Sequence, residues 1–275
     1  MMTPAVIEVK TDHVAEPLAG AQTAAVDLAA LRGPGTIRAL PAGVNLFEAE
    51  VRHLGALVEY KVEGEPHRVI ALTTRDWPDN LSALDYDRSL IGWDVGLSPD
   101  VPLALTIRSC SGGGDFDLDG LALSELTLES LSAGLKLALP AVSAPYPVRL
   151  GSISGSLRMT LLGPGGVIDL EAQSLSGGMG LVVGKETSLR AVLQQVSGSL
   201  DVTLAQDSTT NLAIKHLSGG LRITAEPGAA LALTLANASG GAEITVPEGA
   251  AVRVEAQSVT GHVSITLPTG KHIIS

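Results

Sequence analysis

The chain has 275 residues, a formal net charge of −11 and 45% hydrophobic residues, yet only 3% of its residues are aromatic. This apolar content excludes a disordered chain, and the acidic balance argues against nucleic-acid binding. The single cysteine, Cys110, excludes an internal disulfide and a zinc site built from several cysteines. No apolar run reaches the roughly 18 residues that a membrane helix needs, and residues 1–10 do not resemble a signal peptide.

Six segments in the first hundred residues alternate between apolar and polar side chains, as strands with one buried face do. They are residues 25–31, 36–40, 44–51, 56–62, 67–73 and 89–97. The Gly-Pro-Gly sequence at 33–35 and Gly55 are candidate corners, and residues 74–86, the least repetitive segment, are expected to loop out. Five of the seven aromatic residues lie in this part of the chain: Phe47, Tyr60, Trp77, Tyr86 and Trp93.

From residue 111 onward, a short corner of the Ser-Gly type recurs every 21 or 22 residues. The first residues of the eight corners are Ser111, Ser132, Ser154, Ser176, Ser197, Ser218, Ser239 and Thr260. The third, fifth and seventh residues after each corner are mostly apolar, and polar or small residues lie between them. A turn rich in Pro or Gly and a second alternating run follow, so each unit reads as strand, turn, strand and turn.

One such unit cannot bury its apolar face alone, but copies stacked in parallel can. The repeat therefore predicts an all-β fold, a single-stranded parallel β-solenoid whose 21–22-residue coils fit a right-handed β-helix. The sequence does not contain the asparagine signature of leucine-rich repeats. A β-sandwich would not align like residues every 21 residues. A narrow lumen of stacked aliphatic side chains explains the scarcity of rings. The corner glycines are expected to provide either a positive φ or close packing of the turns.

We predict one solenoid domain over residues 1–275, with degenerate coils and a cap over 1–100 and regular coils over 101–275. The first hundred residues are expected to be atypical because one end of a stack of repeats must face water. A separate N-terminal domain is the alternative interpretation of this segment.

Residues 90–103 contain a Trp-Asp strand followed by the turn sequence SPDVPL. Residues 115–121 continue this pattern, and residues 21–31 read as a strand before a glycine-rich corner. Together they resemble a signature of bacterial toast-rack and adhesin-like proteins, with Ser98 where that family has asparagine. The resemblance implies a β-solenoid without known catalytic residues, and it extends to the solenoid domain of LiaF-type envelope-stress regulators. The chain departs from those relatives because it shows neither membrane helices nor an export signal.

Asp115, Asp117 and Asp119 match the beginning of a calcium-binding loop. The twelfth position, where such a loop needs a bidentate glutamate, is Leu126. Alternation places the three carboxylates on the outer face of one strand, so a solvated acidic stripe is preferred to a cation site. We assign no catalytic residue, no metal ligand and no cofactor, and Cys110 is expected to be a buried structural thiol.

Two outward columns of residues are candidate binding surfaces. Thr203, Thr224, Thr245 and Thr266 form a ladder like those of ice-binding solenoids, although threonine is also simply a good strand residue. The residue two places before each corner is always polar, and with the corner serines it forms either a binding groove or a set of side chains that hydrogen-bond turn backbone. We favour the second interpretation for this column, which contains Ser109, Ser130, Ser152, Ser174, Gln195, His216, Asn237 and Ser258.

The favoured function is a non-enzymatic structural or protein-interaction solenoid, a self-associating scaffold or regulator in the cytoplasm. The unit over residues 260–275 is incomplete and shows no evident cap, which predicts a protein partner or a second copy bound through the solenoid ends. No nucleic acid and no direct membrane insertion are expected. One alternative is a cell-surface adhesin or envelope-stress protein exported by a signal outside this chain. Another is a polysaccharide-binding or polysaccharide-acting β-helix, which would require clustered carboxylates and aromatic subsites.

Overall fold

The computed structural model describes residues 8–77, 90–142 and 144–267. Over these residues the chain forms 23 β-strands and no α-helix. The strands belong to two sheets, one of 12 strands and one of 11, and apolar residues from both sheets form one continuous core. The coils stack in parallel about 21 residues apart, so the predicted all-β solenoid is confirmed.

Seven strands precede the regular coils. They are β1 (Lys10–Pro17), β2 (Thr23–Ala29), β3 (Gly35–Ala39), β4 (Asn45–His53), β5 (Leu57–Glu63), β6 (His67–Arg75) and β7 (Gly92–Leu97). Each regular coil then has a strand in the 11-stranded sheet, a corner, and a shorter strand in the 12-stranded sheet. The first set is β8 (Leu103–Cys110), β10 (Leu123–Leu131), β12 (Tyr146–Ile153), β14 (Val167–Leu175), β16 (Ser188–Val196), β18 (Thr209–Leu217), β20 (Ala230–Ala238) and β22 (Ala251–Val259). The second set is β9 (Gly114–Asp117), β11 (Leu135–Leu139), β13 (Leu157–Leu161), β15 (Met179–Val183), β17 (Leu200–Leu204), β19 (Leu221–Ala225), β21 (Ala242–Thr245) and β23 (Val263–Thr266).

The stacking register of the regular coils follows the sequence columns. Leu135, Leu157 and Met179, each the third residue after its corner, pair in consecutive strands. The fifth column is aligned in the same way and is fully buried at Met159 and Leu181. Because each aliphatic side chain lies on its counterpart in the next coil, the lumen can be filled by residues of one size.

In most coils the corner residue is followed by glycine, which the close approach of neighbouring coils favours; Ser132, followed by Ala133, is the exception. A Cβ atom on Gly198, Gly219 or Gly240 would overlap the carbonyl oxygen of the corner glycine in the preceding coil. None of these three glycines has a positive φ. Of the two reasons that the sequence leaves open, close packing of the turns is therefore the one that applies here.

The first coil is inserted between coils that come later in the chain. Strand β2 pairs in parallel with β6 and with β8, and β3 pairs in parallel with β7 and with β9. A Cβ atom on Gly112 would overlap the backbone of Gly33, so the predicted corner at 33–35 is stacked on the first serine corner. The coil formed by β2 and β3 thus lies between the β6–β7 and β8–β9 coils.

Antiparallel pairing ends the stack on the N-terminal side. Strand β4 pairs antiparallel with β7 and with β1, and β5 pairs antiparallel with β6. The connection at Gly55 therefore crosses from one sheet to the other in the reverse direction, as part of a coil that runs backwards. All six strands predicted in this region occur, as β2 to β7, whereas β1 is not predicted by the alternation. Most of the segment 74–86 lies outside the described residues.

Glycines make room for two aromatic rings in the lumen, that of Trp93 from the neighbouring coil and that of Phe116 from its own strand. Trp93 pairs with Gly35 in the adjacent strand, and a Cβ atom on Gly35 would overlap the indole ring. The Trp93 and Phe116 ring centroids are 5.5 Å apart, and the ring of Phe116 lies against Gly114. The Trp93 ring thus takes the space that the missing side chain of Gly35 leaves in the next coil.

Candidate interaction surfaces

The C-terminal end of the stack exposes residues that are buried elsewhere. Within the described residues, no strand pairs with the outer edge of β22 or of β23. Ile244 is 0% exposed, whereas Ile265, its counterpart one coil later, is 42% exposed. Ala256 is exposed as well, although Leu235, with which it pairs, is fully buried. We call β22 and β23 together the open coil. The predicted C-terminal segment 268–275 lies outside the described residues.

The edge strand of the open coil carries one charge of each sign. Arg253 and Glu255 lie on the outer face of β22, and their side chains form an ion pair. The remaining residues of β22 are small, aliphatic or uncharged polar, and none is proline. The strand therefore lacks the run of like charge or the proline by which proteins commonly block a sheet edge.

The N-terminal end of the stack also has edge strands, β1 and β5, but it carries more charges than the open coil and has aromatic rings packed behind the edge. Strand β1 forms the outer edge of the 12-stranded sheet, and its Asp12 carboxylate lies 3.0 Å from Nε2 of His53 on β4. The ring of Phe47 stacks on Tyr60 with the centroids 5.8 Å apart. Burial, followed by the nearby charge of Glu16, raises the pKa of Tyr60 to about 12. This end therefore differs from the open coil in both charge and shape.

A second candidate surface is a groove on the corner side of the later coils, with a volume of about 390 Å³. We call it the corner groove. It is lined by Ser174, Gln195, His216, Asn237 and Ser258, which pair in register, and by four corner hydroxyl residues, Ser197, Ser218, Ser239 and Thr260. The polar column singled out in the sequence therefore forms a continuous surface of hydroxyl, amide and imidazole groups.

Several corner side chains support the backbone of the turns. The hydroxyls of Ser154, Ser176 and Ser197 donate to backbone carbonyls of the preceding coil at 3.3 to 3.5 Å. Asn237 donates from Nδ2 to the carbonyl of Lys215 at 3.2 Å. The favoured interpretation is therefore confirmed for these three corner serines and, within the polar column itself, for Asn237. Gln195 and His216 are exposed beside them, and this leaves their polar groups accessible to a ligand.

Asp115 and Asp117 lie on the outer face of β9, but β9 ends at Asp117 and Asp119 lies in the turn that follows, so the three carboxylates do not share one strand as the alternation predicted. The amide of Asp119 donates to Oδ1 of Asp117 at 3.2 Å, and the amide of Gly120 donates to Oδ1 of Asp119 at 3.0 Å. Asp115 lies between Thr36 and Lys136 in the adjacent strands. In the described portion of the chain, no group of three or more His, Cys, Asp or Glu side chains is placed to hold a metal ion.

The threonine ladder lies in register on the outer face of the 12-stranded sheet. A charged column runs beside it, in which Arg222 lies 3.6 Å from Asp201 and 3.4 Å from Glu243. The threonines therefore form a single rank next to ion pairs. A flat, uncharged surface with paired ranks of threonine, the arrangement that the ice-binding comparison requires, is not formed by these two columns.

Cys110 lies where the first coil stacks on the regular coils. Its side chain is buried, and Sγ lies 3.9 Å from the carbonyl oxygen of Gly113. Burial raises the pKa of the thiol, although backbone groups of Gly112 and Gly113 partly offset this effect. A protonated, inaccessible thiol is unreactive, so the expectation of a structural cysteine is confirmed.

The chain resembles solved bacterial structures over nearly its whole length. A provisionally assigned cell adhesion protein from Clostridium sporogenes ATCC 15579 has a TM-score of 0.49 and 11% identity, with 95% of this chain and 100% of that chain covered. A provisionally assigned adhesin from Bacteroides fragilis NCTC 9343 has a TM-score of 0.39 and 10% identity, with 95% and 97% covered. One from Parabacteroides merdae ATCC 43184 has a TM-score of 0.36 and 8% identity, with 94% and 96% covered.

No family model matches the chain, and no curated protein matches its sequence. At the identities and TM-scores above, the structural likenesses carry no assignment of function, and the relation to LiaF-type regulators stays a prediction. In the described part of the chain, no helix is long and apolar enough to cross a bilayer.

Proposed function

We propose that this protein is a non-enzymatic, adhesin-like interaction solenoid that works as a self-associating scaffold and binds protein through its open coil. The observation that carries the proposal is the exposed apolar end of the lumen, which lies between two strand edges that pair with no strand of the described residues. Unpaired backbone groups of an edge strand are a template for another strand. Covering Ile265 and Ala256 would also remove apolar surface from water, which is favourable by about 25 cal/mol per Å².

Light scattering coupled to size-exclusion chromatography, over a wide range of protein concentration, tests the proposal. We expect a mass above that of the monomer that increases with concentration. A variant with an inward-pointing charge at the edge, Val254→Lys, should remain monomeric because a strand cannot pair over a buried lysine. Val192→Lys is the matched control, since Val192 is an exposed valine on β16, a strand paired on both sides. A wild-type mass that stays monomeric at every concentration would overturn the proposal.

The corner groove supports a second candidate function, the binding of an extended polar ligand such as a polysaccharide. Its hydroxyl and amide groups repeat at about 4.8 Å, the spacing of neighbouring strands. Titration calorimetry with soluble polysaccharides tests this function, and Gln195→Ala should weaken any binding that occurs in the groove. Thr224→Ala, on the other sheet, is the control. Binding that is equal in both variants would place the ligand elsewhere.

The proposal also includes where in the cell the protein acts. We propose the cytoplasm as the place of action, with the cell envelope as the alternative. Immunodetection in fractions of the native cell separates the two, because an exported form would be recovered with the envelope.

A further inference from the structure

We infer that the partner of the open coil is a second copy of this chain, joined tail to tail about a two-fold axis. The inference rests on the proposed function, in which the open coil binds protein. It adds which surface the open coil meets, in which register, and why the assembly stops at two copies.

The shape of the open coil suits a two-fold contact. Strands β22 and β23 belong to the same coil, so within residues 8–267 both sheets end at the same level. A two-fold axis normal to the sheets places β22 antiparallel to β22 of the second copy and keeps each sheet in line with its counterpart. Such an isologous contact needs only one self-complementary surface.

The sequence of β22 selects one register for this pairing. When Val254 lies opposite Val254 of the second copy, Arg253 faces Glu255 of the second copy. On the inner face, Val252 then meets Ala256 of the second copy, so the exposed lumen residues cover one another. A shift that places Glu255 opposite its own copy would bring like charges together, which is unfavourable for directly opposed residues. Charge therefore favours the register centred on Val254.

The N-terminal end is a poor partner for the open coil. Its outer strands, β1 and β5, are each paired antiparallel to their neighbours, and the 12-stranded sheet extends one strand beyond the other sheet. Strand β1 also carries Lys10, Asp12 and Glu16. At the open coil both sheets end together, whereas at the N-terminal end one sheet extends a strand further and that strand is charged. A contact between the two ends would leave gaps and unpaired charges. Head-to-tail growth is therefore disfavoured, and association stops at the dimer.

A charge exchange tests the register. Arg253→Glu should raise the dissociation constant of the dimer about tenfold or more. The new carboxylate would face Glu255 of the second copy, and the two-fold axis repeats this repulsive contact. The double variant Arg253→Glu/Glu255→Arg should restore the wild-type dimer. Arg222→Glu, which changes another largely exposed arginine, on β19 two strands in from the edge, should leave the dimer unchanged. A double variant as weak as the single one would overturn the register.

Disulfide trapping tests the two-fold axis. Val254→Cys faces its own copy in this register, so mild oxidation should give a covalent dimer, whereas Val192→Cys on β16 should not. Cys110 is buried and does not compete. Light scattering separates the possible failures. A wild-type monomer would overturn both this inference and the proposed function. A mass that grows beyond two copies, or a dimer that Val254→Cys does not trap, would overturn this inference alone.

Discussion

The regular coils and the N-terminal strands build the same two-sheet cross-section in different ways. In the regular coils, each strand pairs with its equivalents one repeat away, and the corner glycines let the turns approach closely. In the N-terminal part, the first coil lies between later ones, β4 and β5 run in reverse, and rings fill the lumen. Repeated aliphatic residues are therefore enough to add further coils to the stack. The N-terminal end instead uses non-repeated residues and reversed strands.

The largest expected effect lies on the N-terminal side. Trp93→Ala should destabilise the protein by about 3–5 kcal/mol, because it empties a fully buried site. Urea unfolding measures this loss. Gly35→Ala should be strongly destabilising in the wild type but much less so in the Trp93→Ala background, since the ring that it would overlap is then absent. Additive losses would show that ring and glycine do not share one space.

The second test compares one column inside the stack and at its open end. Ile244→Ala should lose about 2–5 kcal/mol of unfolding free energy, the usual range for a buried isoleucine. Ile265→Ala, at the same column in the open coil, should lose about 1 kcal/mol or less, because its side chain is already partly in water. Equal losses in urea unfolding at low protein concentration would mean that the open coil is covered in the monomer.

The third test compares two neighbouring glycines of one corner. Gly219→Ala should destabilise by about 1–3 kcal/mol, since its Cβ would overlap the carbonyl oxygen of Gly198. Gly220→Ala should be neutral or stabilising by about 0.5–1 kcal/mol, because its Cβ meets no atom within 4 Å and φ is not positive. Thermal unfolding of the two variants side by side decides this. The reverse order would refute the close-packing explanation.

The smallest effect is a pH dependence at the N-terminal end. The pKa of Tyr60 is raised from 10.0 to about 12, so the folded state holds the phenolic proton more tightly than the unfolded chain does. This contribution to stability is complete below pH 10 and is lost as the pH rises to about 12. Tyr60→Phe should therefore lose less stability than the wild type over that interval, as measured by urea midpoints. Parallel curves would exclude a role for the Tyr60 proton.

The regular coils could be predicted almost completely because their information is local and repeated. Alignment on the corner serines alone gives the pairing of Leu135 with Leu157, and the same alignment holds to Val263. The reason for the corner glycines could not be predicted, since it depends on the distance between coils. The split of the polar column into backbone donors such as Asn237 and accessible groups such as Gln195 depends equally on three-dimensional geometry.

The N-terminal part could be predicted as strands but not as a topology. Alternation marks β2 to β7, yet it contains no information about whether a strand runs forward or backward. Strand β1 escapes prediction because its side chains are mostly exposed and charged. The pairing of Trp93 with Gly35 joins residues far apart in the chain, and without a repeat no column shows that they share space.

The inserted first coil has a consequence for synthesis of the protein. A ribosome releases β2 and β3 early, yet their second neighbours, β8 and β9, emerge much later. The amide of Ala30 donates to the hydroxyl of Ser109, 79 residues further along the chain. Contacts of such separation form slowly, since a long segment must first be ordered. During translation, the edges of β2 and β3 that later pair with β8 and β9 therefore stay unpaired. The nascent chain is most exposed to misassembly before its regular half has left the ribosome.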